Sequence, residues 1–277
     1  MVYNKENAYE SGGEKIARGG ATPLSRCSKQ LDTIVNKNYN SYMRKYSFKK
    51  GFTLAEVLIT LGIIGVVAAL TIPTLVAKYQ QKTLNTQFKK SYALINQALL
   101  NAQAQYDYIP RCYYDSSNVF KNNECQDFSD KFFASLKILR TCEGKAYENG
   151  CIPEYEGMDT VANANYPDAE VPEGYEDYGE YASSGCTYFR KNAILNDRTV
   201  YLLSDGTIIF PYISSLRLIA VDINGQNGPN KWGYDLFSFI LRLDGGKFKY
   251  YGGGCMEPEQ GGVQTSVMVE RLEKNQL

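Results

Sequence analysis

The sequence predicts an α+β protein: one long, kinked N-terminal helix, half transmembrane and half amphipathic, packed on a C-terminal antiparallel sheet. Three observations predict it. Phe52 to Ile72 is a run of 21 residues with a single ionisable group, Glu56. Beyond Pro73, the residues Leu84, Phe88, Tyr92, Ile95, Leu99 and Ala102 recur at steps of three and four, the apolar stripe of an amphipathic helix. The last third of the chain alternates β-rich runs with Gly-containing turns.

Residues 1–42 carry no helical or strand period. The stretch "SGGEKIARGGATPLS" is polar and punctuated by Gly, Ser and Pro, which predicts an extension without regular structure. Met43 then opens "MRKYSFKKG", basic and free of acids. Met43 is the expected biological start, which would make residues 1–42 an upstream over-extension of the reading frame; a start at Met1 is the alternative.

The apolar run would span about 30 Å as a helix, the thickness of a bilayer core. A cleaved secretory signal would be shorter and would end at a small-residue site. Here the small residue, Gly51, comes before the run. Basic residues on that side place it in the cytoplasm and the bulk of the chain outside. Run and stripe together predict one helix over 52–105, roughly 80 Å long. Pro73 removes one backbone hydrogen bond and predicts a kink.

A short helix is expected at 127–140, with Phe128, Phe132, Leu136 and Leu139 on one face. Residues 147–181 hold ten Asp/Glu and no Lys/Arg, and read as a solvated, irregular loop region. Strands are expected at 199–203, 207–213, 216–223, 234–243 and 247–252. A sheet of four or five such strands with one apolar face needs cover, and the amphipathic stripe supplies it.

Composition narrows the chemistry. The chain has no histidine, which removes Ser-His-Asp and Cys-His catalysis and His-based zinc sites. Residues 52–277 hold 20 basic and 26 acidic side chains, a balance that does not suggest a nucleic-acid partner. Six of the seven cysteines follow the apolar run: Cys112, Cys125, Cys142, Cys151, Cys186 and Cys255. An even set without C-x-x-C fits a disulfide framework in an oxidising compartment. Nearest-neighbour pairing, Cys112–Cys125, Cys142–Cys151 and Cys186–Cys255, is the expected set among the many that six cysteines allow.

The segment "KKGFTLAEVLITLGIIGVVAALTIP" resembles the N-terminal segment of type IV pilins and type II secretion pseudopilins. The resemblance covers the basic leader, Gly51, Phe52, Thr53, Leu54, Glu56 and the helix through Pro73. It implies a pilin-like fold and no enzymatic activity. It implies cleavage between Gly51 and Phe52 by prepilin peptidase, followed by N-methylation of Phe52. The chain would then divide into a leader (1–51), a transmembrane and filament-core helix (52–76) and an exported α+β head (77–277). Phe52 and Glu56 would direct assembly, because Glu56 can pair with the Phe52 amine of a neighbour. Implied partners are the bacterial inner membrane, identical or homologous pilin subunits, prepilin peptidase and the pilus or secretion assembly machinery. The plain alternative for Glu56 is an interfacial acid that snorkels into water. The alternative for the whole chain is a signal-anchored extracytoplasmic enzyme or ligand-binding protein that does not polymerise.

One further stretch, "VDINGQNGPNKWGYDLF", concentrates Asp222, Asn224 and Asp235 on a turning backbone, the oxygen ligands Ca2+ favours. It is not an EF-hand, since the twelfth position would be Gly233. The resemblance raises the calcium reading, because major pseudopilins bind calcium in a C-terminal loop. The residues alone fit a Gly/Asn turn between strands slightly better. Trp232 and the many tyrosines are either an adhesive surface or core and interface filler.

Overall fold

The computed structural model describes residues 51–108, 110, 123–212 and 215–277. The chain divides into two units between Val66 and Val67. Helix α1 spans Leu54–Gln103, with Pro73 inside it. Then follow α2 (Asn123–Ala134), β1 (Ile138–Glu143), α3 (Met158–Asn165), α4 (Tyr178–Ala182), a 3-10 turn (Thr187–Phe189) and α5 (Lys191–Asn196). The last part holds β2 (Thr199–Leu203), β3 (Ile208–Tyr212), β4 (Ser215–Asp222), β5 (Leu236–Asp244), β6 (Lys247–Gly252) and α6 (Thr265–Glu273).

The six strands form one antiparallel meander in the order β1-β2-β3-β4-β5-β6. Pro211 is tolerated in β3 because β2 pairs only with Ile208 and Ile209, so no partner on that side needs its missing N–H.

One core lies where α1, α2 and α6 meet the sheet: Phe88, Ile95 and Leu99 of α1 pack with Phe128 and Phe132 and with Ile209, Ile219, Val221, Phe237 and Phe239. The predicted stripe is that buried face, with Ser91 and Ala98 added and Leu84 half-buried. The helix also closes an edge. The Tyr250 N–H donates to Asn96 Oδ1 at 2.9 Å, and the Phe248 N–H donates to Gln103 Oε1 at 3.0 Å. The Tyr92 hydroxyl donates to the Tyr250 carbonyl at 2.7 Å. These are the outward groups of β6, the last strand, so α1 satisfies an edge that would otherwise invite pairing.

Three expectations are corrected. The helix expected at 127–140 stops at Ala134, and 138–143 is a strand. Leu139 continues the helical spacing of the sequence, but it is 75% exposed, while β1 pairs Thr141 with Tyr201 and Cys142 with Val200. The sheet is apolar on both faces, not one: Ile208, Phe210, Leu218 and Ala220 point into a second core. That is why β3 and β4 read as continuous apolar runs without alternation. The cover for that face comes from the acidic region itself. Ile152, Tyr155 and Val161 are buried there, so 147–181 is a structured layer, with its acids on the outside. The C-terminal helix α6 was not anticipated; it packs Met268 and Val269 into the first core.

Candidate functional site

Thr53 stands immediately before the first residue of α1, and Glu56 is the third residue inside it. The Glu56 N–H donates to Thr53 Oγ1 at 3.2 Å. In return the Thr53 N–H and hydroxyl donate to Glu56 Oε2 at 2.8 and 3.0 Å. This is a reciprocal capping box, which satisfies donors that a helix start leaves without intrahelical partners. It also places a negative charge where the helix dipole is positive. The sequence carries the signal as T-x-x-E, Thr53 to Glu56, at the head of an apolar run.

Beyond the cap the helix is apolar all round. Leu58, Ile59, Leu61, Ile63, Ile64, Val66, Leu70 and Leu75 are exposed. Its polar side chains satisfy themselves. Thr60 Oγ1 donates to the Glu56 carbonyl at 2.9 Å, Thr71 Oγ1 to the Val67 carbonyl at 2.8 Å, and Thr74 Oγ1 to the Thr71 carbonyl at 2.9 Å. A threonine bonded one turn back presents its methyl group and no free hydroxyl donor, which suits hydrocarbon surroundings. Among the described residues α1 is the one helix long and apolar enough to cross a membrane.

This geometry is matched by one comparison. Residues 47–72 fit the family model described as the prokaryotic N-terminal methylation motif. The chain carries the prepilin-type cleavage and methylation signal. This motif marks type IV pilins and pseudopilins, and it points to a substrate of prepilin peptidase and a structural subunit more than to an enzyme. Together with the apolar helix it fits a protein anchored by a single span in the inner membrane. No curated protein and no solved structure matches the chain. Of the motif, Gly51 onward is described structurally. Lys49, Lys50 and Met43, with the rest of the expected leader, lie outside the described residues.

Away from the methylation motif, Asp222, Asn224 and Asp235 do come together at the end of β4 and start of β5. Both aspartates are fully buried. Asp222 Oδ1 accepts from the backbone N–H of Asn224 and Gly225 at 3.0 and 2.7 Å, and Oδ2 accepts from the Tyr155 hydroxyl at 2.6 Å. Asp235 accepts from the N–H of Asn230 and Lys231, both at 2.8 Å. Every carboxylate oxygen therefore faces a hydrogen-bond donor, and the pair organises the loop backbone. Burial pushes the Asp222 carboxyl up to about 7, with Asp235 adding to the rise and the Tyr155 hydroxyl opposing it. Burial raises Asp235 as well. Gly225 has φ +64, and a Cβ there would meet the Gly206 carbonyl at 2.2 Å, so the loop is pressed against the β2–β3 turn. Among the described residues no group of three or more Asp, Glu, Cys or His is placed to hold a metal ion.

Disulfides join Cys142 to Cys151 and Cys186 to Cys255. The first staples β1 to the acidic layer and the second ties that layer's end to the segment after β6. The expected Cys112–Cys125 pair lies outside the described residues, Cys112 by its backbone and Cys125 by its side chain. Trp232 is 1% exposed, packs on Phe189 and Phe210, and donates from Nε1 to the Glu156 carbonyl at 2.7 Å. It is core, not an adhesive surface.

Proposed function

We propose that the chain is a filament subunit of a type IV pilus or a type II secretion pseudopilus. Prepilin peptidase cuts between Gly51 and Phe52, and the new Phe52 amine is methylated. Residues 52–76 anchor the subunit in the inner membrane and later form the filament core, while 77–277 are the exported head. The basic leader keeps the N-terminal side cytoplasmic.

The observation that carries this reading is a methylation motif running directly into an exposed, all-apolar helix whose one acid sits at the helix start. A charge at bilayer depth costs on the order of 3 kcal/mol, so an acid there is a functional candidate. The cap orients Glu56 toward the end of the helix where cleavage creates a cation. Methylation keeps that amine charged. Pairing with the Phe52 amine of a neighbouring subunit offsets the burial of both charges and selects one axial stagger. Contacts of this head-to-tail kind do not close and so propagate as a fibre.

Mass spectrometry of the mature N-terminus is the decisive measurement. A chain that begins with methylated Phe52 is the expected result. An intact leader on the membrane-bound protein would return the chain to the signal-anchored alternative.

A further inference from the structure

From Val57 to Tyr106 the chain contains no acid, and its cations are Lys78, Lys82, Lys89 and Lys90. Lys89 donates to the Leu277 carbonyl and Lys90 pairs with Asp205. Lys78 and Lys82 have no ion pair among the described residues, and neither has Arg271 on α6. Arg271 lines a groove of about 840 Å³ between residues 77–87 of α1, the 224–234 loop and α6, and Lys78 and Lys82 line the pocket beside it, which shares Gln81 and Asn85 with the groove. Leu84, Val263 and Met268 line the groove with apolar surface. One cation in an apolar groove and two more in the pocket adjoining it suit an anionic, partly apolar segment that spans both.

The same chain presents such a segment. The 166–177 loop between α3 and α4 exposes Asp168, Glu170 and Glu173, none in an ion pair among the described residues. Interleaved with them are Val171 and Tyr175, exposed by 45% and 36%. None of these residues lines the groove of its own chain.

We propose that the 166–177 loop of one subunit docks on a second copy, in the groove lined by Arg271 and across the adjoining pocket lined by Lys78 and Lys82. The two surfaces are different patches, so the contact is heterologous and repeats from copy to copy. This deepens the filament reading and rests on it: Phe52 and Glu56 set the stagger at the helix start, and this contact sets which face of each head meets the next.

The test uses the full chain in membranes, as two differently tagged co-expressed copies. One carries Tyr175→p-benzoylphenylalanine, a photo-reactive side chain. Irradiation is expected to give an inter-copy adduct mapping to the peptides of Leu84, Val263 or Met268. Reversing the groove by Lys78→Glu, Lys82→Glu and Arg271→Glu in the other copy is expected to lower the adduct about tenfold, the combined effect of three exposed ion pairs. Adding Asp168→Lys, Glu170→Lys and Glu173→Lys to the first copy is expected to restore it. The unreversed chain gives an independent check: its adduct should fall in 1 M salt, where the Debye length is about 3 Å.

Filaments are scored separately by electron microscopy. Filaments without the adduct, or an adduct indifferent to both reversal and salt, overturn the docking and leave the filament reading intact. The adduct without filaments supports the docking and removes the filament reading. An adduct to a different protein in place of the second copy overturns the second copy as occupant.

Discussion

Thr53 and Glu56 hold each other across the first turn of α1, each side chain accepting the backbone N–H of the other. The acid in the membrane segment is thus both a helix cap and a charge. The two roles separate by substitution. Glu56→Gln retains an acceptor for the Thr53 N–H but carries no charge. Glu56→Leu loses both. Both variants are expected to insert in the membrane, and both to lose filaments, as seen by fractionation and electron microscopy. Filaments from Glu56→Gln would leave the cap, and not the charge, as the reason for the acid.

The Asn96 amide oxygen is the acceptor for the buried Tyr250 N–H at the sheet edge. Asn96→Ala leaves that donor unpaired and is expected to destabilise the head by about 1–3 kcal/mol. Denaturant unfolding of the detergent-solubilised chain reads the loss. Leu61→Ala, on the exposed apolar face, should leave the same transition unmoved.

The two disulfides close loops of unequal length, with sequence separations of 9 for Cys142–Cys151 and 69 for Cys186–Cys255. Chain-entropy scaling gives about 3 kcal/mol for the short loop and about 4 for the long one. Paired Cys→Ser variants are expected to lower the thermal midpoint in that order. A larger loss at Cys142–Cys151 would mean that its staple of β1 to the acidic layer outweighs the entropy.

Asp222 gives the head a pH signature. Its carboxyl is raised from an ordinary 3.8 to about 7, so the folded chain holds a proton that the unfolded chain releases. The stabilisation is present in full below about pH 4 and is lost as pH rises through about 7. Its size is on the order of 4 kcal/mol. Asp235, also raised, acts in the same direction. Glu156 and Asp205 are lowered and act oppositely, but below the ordinary carboxylate range. The thermal midpoint is therefore expected to fall between pH 5 and pH 8. Asp222→Asn keeps an acceptor for Asn224 and Gly225, turns an amide toward Tyr155, and should flatten the profile. A profile of unchanged slope in that variant would mean that Asp222 is ionised throughout.

The long helix and five of the six strands were legible because their signals are local: an unbroken apolar run, a stripe of period near 3.6, and β-rich runs cut by Gly turns. The β1 strand was hidden because Leu136 and Leu139 fall on one face at helical spacing, while its pairing partner lies about 60 residues away at Thr199–Leu203. The acidic region misled for a related reason. Its surface acids outnumber the few buried residues, Ile152, Tyr155 and Val161, that define its role.

At the N-terminus the sequence by itself determined almost everything. The motif at 47–72 is read as a linear string, and the apolar helix follows from composition and hydrogen bonding within the segment. Tertiary structure alone decided what the head presents. That Asp222 and Asp235 serve a loop backbone, that Trp232 is core, and that residues of α1, the 224–234 loop and α6 line one groove depend on contacts between distant residues. Such contacts carry no periodicity, so burial and charge at each position become visible only once the strands have paired and the layers have closed over the sheet.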